Sequence, residues 1–239
     1  MTQPTHRSER GFWYLTALQF QGAFSDNLFR ISLMLIAAKI LADPNQPNQL
    51  GSYNAILQML FPASYLIFSV WAGFLADRYS KRFITIATKV AEVVLMTLAA
   101  VSFIGLGDVD NAPPSALFWP TVVLFFMFTQ SAFFSPSKYG IIPELVDEHR
   151  LGWANGIIGL TTYLAIIIGA FAATALVPLL SPSRLEWIPG VLIALAVVGL
   201  LAGRGIDRTP EANPGRPILT NPIPELIRYF RTISNDHNL

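Results

Sequence analysis

Cysteine is absent from this sequence, and its three histidines lie far apart in the chain. The lack of cysteine excludes a disulfide framework, a thiolate metal site and a cysteine nucleophile. The formal net charge is only +1, so no strongly basic surface suggests a nucleic-acid partner. The sequence also lacks the Gly-x-Ser-x-Gly, His-Glu-x-x-His and phosphate-loop motifs. We therefore expect no enzyme activity, no cofactor and no metal site.

Charged residues are scarce as well. They make up 13% of the chain, against roughly 25% in soluble domains, whereas 53% of the residues are hydrophobic. A bilayer core about 30 Å thick is spanned by about 20 residues of helix. Six apolar segments are long enough, and they cover residues 12–41, 53–76, 83–106, 116–142, 152–180 and 187–203. Their length argues against soluble strands, and their lack of two-residue alternation argues against a porin-like barrel. The sequence thus predicts an all-α membrane protein with six transmembrane helices, the fourth interrupted at "SPSKYG".

Basic residues collect in alternate loops. If six helices alternate in direction, one side of the membrane holds Arg7, Arg10, Arg78, Lys81, Arg82, Lys138, Arg150, Arg204, Arg208, Arg216, Arg228 and Arg231. The other side holds only Lys39 and Arg184. Because Lys and Arg are enriched in cytoplasmic loops, this asymmetry predicts that both termini of the segment are cytoplasmic.

A polar tail follows the sixth apolar segment. We assign residues 1–203 to the membrane domain and residues 204–239, which are rich in Pro and Arg, to a cytoplasmic linker. Within the linker, Leu226, Ile227, Phe230 and Ile233 recur at helical spacing. This pattern is typical of an amphipathic helix lying on the inner leaflet, where Arg meets anionic lipid. A disordered linker with a chance apolar stripe is the alternative.

The loop between the second and third apolar segments reads "GFLADRYSKR". It resembles the signature of the major facilitator superfamily, Gly-x-Leu-Ala-Asp-Arg-x-Gly-Arg-(Arg/Lys), with Ser80 in place of the second Gly. The resemblance implies a gating role for Gly73, Asp77, Arg78, Lys81 and Arg82, as a latch between two six-helix halves on the inner side. Gly73 would let helix 2 approach a neighbour closely. Topology control by positive charge alone is the competing explanation.

A narrower resemblance rests on "SDNLFR" in helix 1, "SPSKYGIIPEL" in helix 4 and "WANGIIGLTTYLAIIIGA" in helix 5. These segments look like the lysophospholipid transporter branch, which includes forms fused to a cytoplasmic acyltransferase. The Gly-Pro expected in the antiporter-type signature of helix 5 is replaced by Gly169 and Ala170. This replacement disfavours a typical drug–proton antiporter.

The resemblance also implies an architecture. A transporter of this kind has twelve helices in two halves, each built from two inverted three-helix repeats. This chain would supply the N-terminal half and part of the central linker. The partners implied are the lipid bilayer, an amphiphilic or lysophospholipid substrate and a missing C-terminal half. A half-size protein that works as a dimer remains the alternative.

Helix 1 carries an acid deep in its apolar run. Gln19, Ala23, Asp26 and Arg30 share one stripe of the helix. With Trp13 marking the inner interface, Asp26 lies about 18–20 Å deeper, at 1.5 Å per residue. A carboxylate at that depth costs about 2.5–3.5 kcal/mol on insertion scales, so it should face protein or water. We predict a cavity-lining acid that contacts a cationic headgroup or a coupling cation; an internal Asp26–Arg30 pair is the alternative.

Further polar candidates flank this acid. Asn27, one position along helix 1, could bind substrate or bond a neighbouring helix. Lys138 follows Pro136 in helix 4, and a cation beside a broken helix suits an anionic phosphate group. Its alternative is a lysine that snorkels to the inner surface. Gln130 is a further candidate for substrate binding, because "QSAF" in helix 4 repeats "QGAF" in helix 1.

Lys89 and Glu92 lie three residues apart on helix 3, so we expect a structural ion pair there.

The function we predict is a secondary transporter of the bacterial inner membrane that moves lysophospholipid by alternating access. Asp26 would meet the headgroup amine, and Lys138 or Arg30 the phosphate. An exporter of small amphiphilic drugs and a membrane anchor for a fused acyltransferase are the alternatives.

Overall fold

The computed structural model describes residues 9–43, 46–180 and 184–206. This part of the chain forms six α-helices: α1 (Glu9–Ile40), α2 (Asn48–Arg78), α3 (Lys81–Ile104), α4 (Phe118–Leu145), α5 (Leu151–Leu180) and α6 (Trp187–Gly203). Short 3-10 turns at Pro114–Leu117 and Glu148–Arg150 precede α4 and α5. The predicted all-helical architecture is confirmed. The predicted surface helix of the linker lies outside the described residues.

The helix boundaries follow local chemistry. The prediction that the fourth helix is interrupted at "SPSKYG" is wrong, because α4 continues through Pro136 to Leu145. Proline removes one backbone donor, but a membrane-embedded helix tolerates that loss when neighbouring helices surround it. By contrast, α2 ends at Arg78, two residues beyond the predicted end at Ala76, because Tyr79 adopts an extended conformation and its N–H bonds Leu75 O.

The helices alternate in direction along the bundle. At one end, Lys81 at the start of α3 forms an ion pair with Glu144 near the end of α4. At the same end, Arg82 Nη2 donates to Arg204 O, just after α6, at 2.9 Å. We call this the motif end. The contacts gather the start of α3 and the ends of α4 and α6, as alternating helices require.

Packing pairs the helices in a regular way. The most extensive contacts join α1 to α5 and α2 to α4, followed by α3 to α4, α3 to α6 and α1 to α6. The α1–α5 contact relies on small residues of α5: Ala165, Gly169 and Ala173 are all buried. A Cβ built on Gly169 would stand 2.7 Å from Phe24 O, so the two backbones meet too closely for a side chain. Such close approach is how helices associate without a hydrophobic driving force.

Four helical segments are long and apolar enough to cross a bilayer by length and composition: Asn48–Arg78, Lys81–Ile104, Pro114–Leu145 and Glu148–Leu180. The helix α6 is apolar but has 17 residues, which spans only about 25 Å. The helix α1 is long but carries Glu9, Arg10, Asp26, Arg30 and Lys39, and these lower its hydropathy. Six membrane spans therefore stay a prediction.

Candidate functional site

A cleft of about 530 Å³ opens between α1, α2, α4 and α5, with one residue of α3 in its wall. All five residues predicted to bind substrate lie on it: Asp26, Asn27, Arg30, Gln130 and Lys138. They come from two helices that are distant in sequence, and the packing of α1 and α4 brings them together. Their roles stay predictions, but the structure places them in one cavity.

Asp26 connects three helices. Its Oδ2 accepts a hydrogen bond from Ser131 Oγ of α4 at 2.7 Å. Tyr65 Oη of α2 in turn donates to the backbone carbonyl of Ser131 at 3.3 Å. Asp26 therefore faces the protein interior, as its position in an apolar helix requires. The alternative of an internal Asp26–Arg30 pair is not formed, because Arg30 bonds a different residue.

Arg30 and Asn27 are hydrogen-bonded to each other in the wall of the cleft. Arg30 Nη2 donates to Asn27 Oδ1 at 2.9 Å, and Asn27 Nδ2 donates to Ala23 O at 2.8 Å. Asn27 thus bonds its own helix rather than a neighbouring one. A guanidinium has five N–H donors, and within the described residues Arg30 uses one of them. The remaining donors are available for an anionic ligand.

The two α4 residues are almost fully buried, yet both border the cleft. Lys138 is 7% exposed, and its ammonium lies 4.4 Å from the centre of the Tyr139 ring. The structure therefore does not support a lysine that snorkels to the surface. Gln130 is 8% exposed, and its Oε1 has no hydrogen-bond partner among the described residues. A buried carbonyl without a donor is costly, so a ligand N–H or O–H at this position would be favoured.

The signature loop lies apart from the cleft, at the motif end. A Cβ built on Gly73 would meet no atom within 4 Å, so the predicted close approach of helix 2 at Gly73 is not made within the described chain. Arg78 stacks on the Tyr79 ring at 5.6 Å, and Asp77 is exposed. Arg82 bonds the carbonyl that follows α6. None of these residues lines the cleft. A gating role at the motif end would therefore be spatially separate from substrate binding.

Two signature segments meet at the motif end. Lys81 of "GFLADRYSKR" runs past Gly140 of "SPSKYG" to reach Glu144. A Cβ built on Gly140 would stand 2.8 Å from Lys81 Cε and 3.0 Å from Cδ. The absence of a side chain at this position gives the lysine its path.

Several cleft residues were not found from the sequence. Ser131 donates to the acid, Tyr65 donates to the backbone carbonyl of Ser131, and Thr162 of α5 accepts a hydrogen bond from Gln19 Nε2 at 3.0 Å. A single serine or threonine in an apolar helix gives no signal, because its hydroxyl can also bond its own helix, and a single tyrosine can pack its ring like any other aromatic side chain. The expected ion pair on α3 is confirmed, with Lys89 Nζ 2.6 Å from Glu92 Oε2. Within the described ranges, no group of three His, Cys, Asp or Glu could hold a metal ion.

The family model described as Major Facilitator Superfamily matches residues 15–237. This chain belongs to the Major Facilitator Superfamily. Membership indicates a multi-pass membrane transporter rather than an enzyme.

Among superfamily members, curated relatives named lysophospholipid transporter LplT are similar to the chain. The protein of Serratia proteamaculans (strain 568) is 32% identical over 204 residues, which cover 82% of this chain and 43% of that protein. The protein of Citrobacter koseri is 30% identical over 212 residues, covering 87% and 46%. That of Enterobacter sp. (strain 638) is 28% identical over 214 residues, also covering 87% and 46%. The chain therefore spans less than half the length of these relatives.

A solved structure shares the superfamily fold. The crystal structure of a mutant of the peptide transporter POT, in complex with sulfate, matches with a TM-score of 0.62 at 15% identity. The match covers 94% of this chain and 44% of that one. At such low identity, the similarity supports the fold alone.

Proposed function

We propose that this chain is one six-helix half of a transporter that moves lysophospholipid across the bacterial inner membrane by alternating access. The observation that carries the proposal is the cleft, which gathers the acid Asp26 and the cations Arg30 and Lys138 within a major facilitator chain. A zwitterionic lipid headgroup presents an amine and a phosphate. Asp26 fits the amine, and the two cations fit the phosphate.

The packing pairs support the two inverted repeats. If α1 is exchanged with α4, α2 with α5 and α3 with α6, the α1–α5 pair becomes α4–α2 and the α3–α4 pair becomes α6–α1. All of these pairs are observed. The two three-helix units thus pack on each other in equivalent ways, as an internal two-fold relation demands.

The outer surface supports a partner half. Large apolar side chains on α2 and α5 are exposed, including Leu66 at 83% and Phe171 at 74%. Patches of this kind face lipid or another protein surface. In the proposed assembly, rocking of a second half against this one would open the cleft to each leaflet in turn, with the basic motif end in the cytoplasm.

The test is flipping of fluorescent lysophosphatidylethanolamine by the complete gene product in proteoliposomes. Asp26→Asn removes the charge but keeps the shape of the side chain. A charge-assisted hydrogen bond contributes about 1.5–3 kcal/mol, so we expect the transport rate to fall about 10- to 100-fold. Asp110→Asn, in an exposed loop, is the matched control. Undiminished transport in Asp26→Asn would remove this acid from the mechanism.

The alternatives lead to other results in the same assay. An exporter of small amphiphilic drugs would move a cationic dye and leave the lysolipid in its leaflet. A membrane anchor for a fused acyltransferase would move neither, and an anchor has no need of an acid deep in the membrane.

A further inference from the structure

A second set of charges is buried behind the cleft. Lys89 of α3 is 1% exposed and Glu92 is 3% exposed. Lys89 Nζ donates to Glu92 Oε2 at 2.6 Å, to Gln21 Oε1 of α1 at 2.8 Å and, weakly, to Leu18 O at 3.4 Å. Gln21 Nε2 closes the network by donating to Glu92 Oε1 at 2.6 Å. The substrate site described above does not use these residues.

Lys89 nevertheless borders the cleft. It is the α3 residue in the cleft wall, next to Gly22 of α1 and the Phe134 ring of α4, whose centre lies 5.7 Å from Nζ. A Cβ built on Gly22 would stand 3.3 Å from Lys89 Nζ. Because Gly22 has no side chain, α1 places no Cβ in contact with this ammonium.

A buried ion pair is a poor way to stabilise a protein, since well-packed apolar residues often replace one at no loss. Removal of one partner, however, leaves an uncompensated charge. Lys89 can therefore leave Glu92 only if the carboxylate is neutralised at the same time. A proton on Glu92 does this, and an anionic ligand in the cleft then replaces the carboxylate as the acceptor for the ammonium.

We propose that Lys89 is a further cation of the substrate site, withheld by Glu92 and released to the anionic group of the substrate when Glu92 takes up a proton. This inference rests on the proposed function. The charges balance: one proton from water enters with one negative charge of the ligand, and both leave when the carboxylate recaptures Lys89. Protonation of Glu92 keeps its hydrogen bond from Gln21 possible, because one carboxyl oxygen remains an acceptor.

Other ionisable groups face the same region. Asp26 and Arg30 on α1, Tyr65 on α2, and Lys138 and Tyr139 on α4 border the cleft. The helix α6, which packs on α3, has no ionisable side chain between Trp187 and Gly203. Since Asp26 is a second carboxyl group on the same cleft, the test must separate its effect from that of Glu92.

The experiment measures the apparent KM and kcat for lysophospholipid, as a function of pH, in the complete gene product in proteoliposomes. In Glu92→Gln, Lys89 loses its charged partner, so we expect KM to fall several-fold and its pH dependence to flatten, while kcat drops because substrate release slows. In Lys89→Met, KM should rise about tenfold. Lys39→Met, at the far end of α1, is the control. If Asp26 alone sets the pH dependence, the Glu92→Gln profile will match that of the wild type, and this overturns the inference.

A second variant keeps the test decisive if the buried pair cannot be altered without misfolding. Gly22→Ala places a methyl group over the ammonium and leaves the pair itself intact. We expect KM to rise at an unchanged thermal midpoint, whereas Gly190→Ala, where a Cβ meets no atom within 4 Å, should change neither. A wild-type KM in both Gly22→Ala and Glu92→Gln would overturn this inference but leave the proposed function standing. Absence of lysolipid transport by the wild type would overturn the proposed function instead.

Discussion

At the residue scale, two glutamines in equivalent sequence patterns have opposite surroundings. Gln21 in "QGAF" of α1 bonds Ser25, Lys89 and Glu92. Gln130 in "QSAF" of α4 is more deeply buried than the half-buried Gln21, but its Oε1 has no partner in the described chain. The first residue is thus part of a satisfied network, and the second is left with an acceptor that can receive a hydrogen bond from a ligand or a water molecule in the cleft.

This difference predicts opposite results for the same substitution. Gln21→Met would leave Lys89 and Glu92 each short of a hydrogen bond, so we expect a loss of about 1–3 kcal/mol of stability. Gln130→Met removes an unsatisfied group, so it should cost clearly less stability than Gln21→Met, yet slow lysolipid transport. Thermal unfolding in detergent and the flipping assay measure the two effects. Equal destabilisation by both variants would contradict this assignment.

The residues that could be predicted from the sequence are those that are unusual in an apolar helix. Asp26, Arg30 and Lys138 stand out because a charge in the membrane is costly and must be sheltered. Tyr65 and Ser131 complete the same site but could not be predicted, since neither side chain is costly in a helix. Lys89 was assigned to a structural pair because only its spacing from Glu92 is visible in the sequence, whereas its position in the cleft wall depends on the packing of α3 against α4.

At the scale of the helices, the α1–α5 contact depends on one position. Gly169→Val would place its Cβ 2.7 Å from Phe24 O and 3.2 Å from Leu28 N, both backbone atoms that cannot move aside. Overpacking of this kind costs about 1–3 kcal/mol, or about 2–4 °C in thermal midpoint per kcal/mol. Gly159→Val on the same helix meets no atom within 4 Å and serves as the control. A shift no larger than that of the control would show that α1 and α5 separate easily.

The number and extent of the helices were predictable because apolar length is a strong signal. Their internal continuity was not. "SPSKYG" combines Pro, two Ser and Gly, which would end a helix in water, but the surrounding helices keep α4 continuous. The close approach expected at Gly73 is not made within the described chain, and its gating role stays a prediction, because a signature glycine does not reveal which neighbour it faces.

At the scale of the whole molecule, the alternating helices place the loop at Tyr79 and the loop at Asp110 at opposite ends of the bundle. The distribution of the basic residues predicts that the Tyr79 end is cytoplasmic. Because the chain has no cysteine, single variants Tyr79→Cys and Asp110→Cys report orientation directly.

In intact cells, a membrane-impermeant maleimide should label Asp110→Cys and leave Tyr79→Cys unlabelled until the membrane is permeabilised. Both positions are exposed, so accessibility to the reagent does not favour one over the other. Labelling of Tyr79→Cys in intact cells would reverse the orientation, and labelling of both would exclude an odd number of spans between them.

The passage of Lys81 beside Gly140 makes these two positions a single steric unit, although they belong to different signature segments. Volume added at one must be taken from the other. In transporters that share both segments, we therefore expect a bulky replacement at the glycine position only together with a shorter side chain at the lysine position. A change at either position alone should be disfavoured.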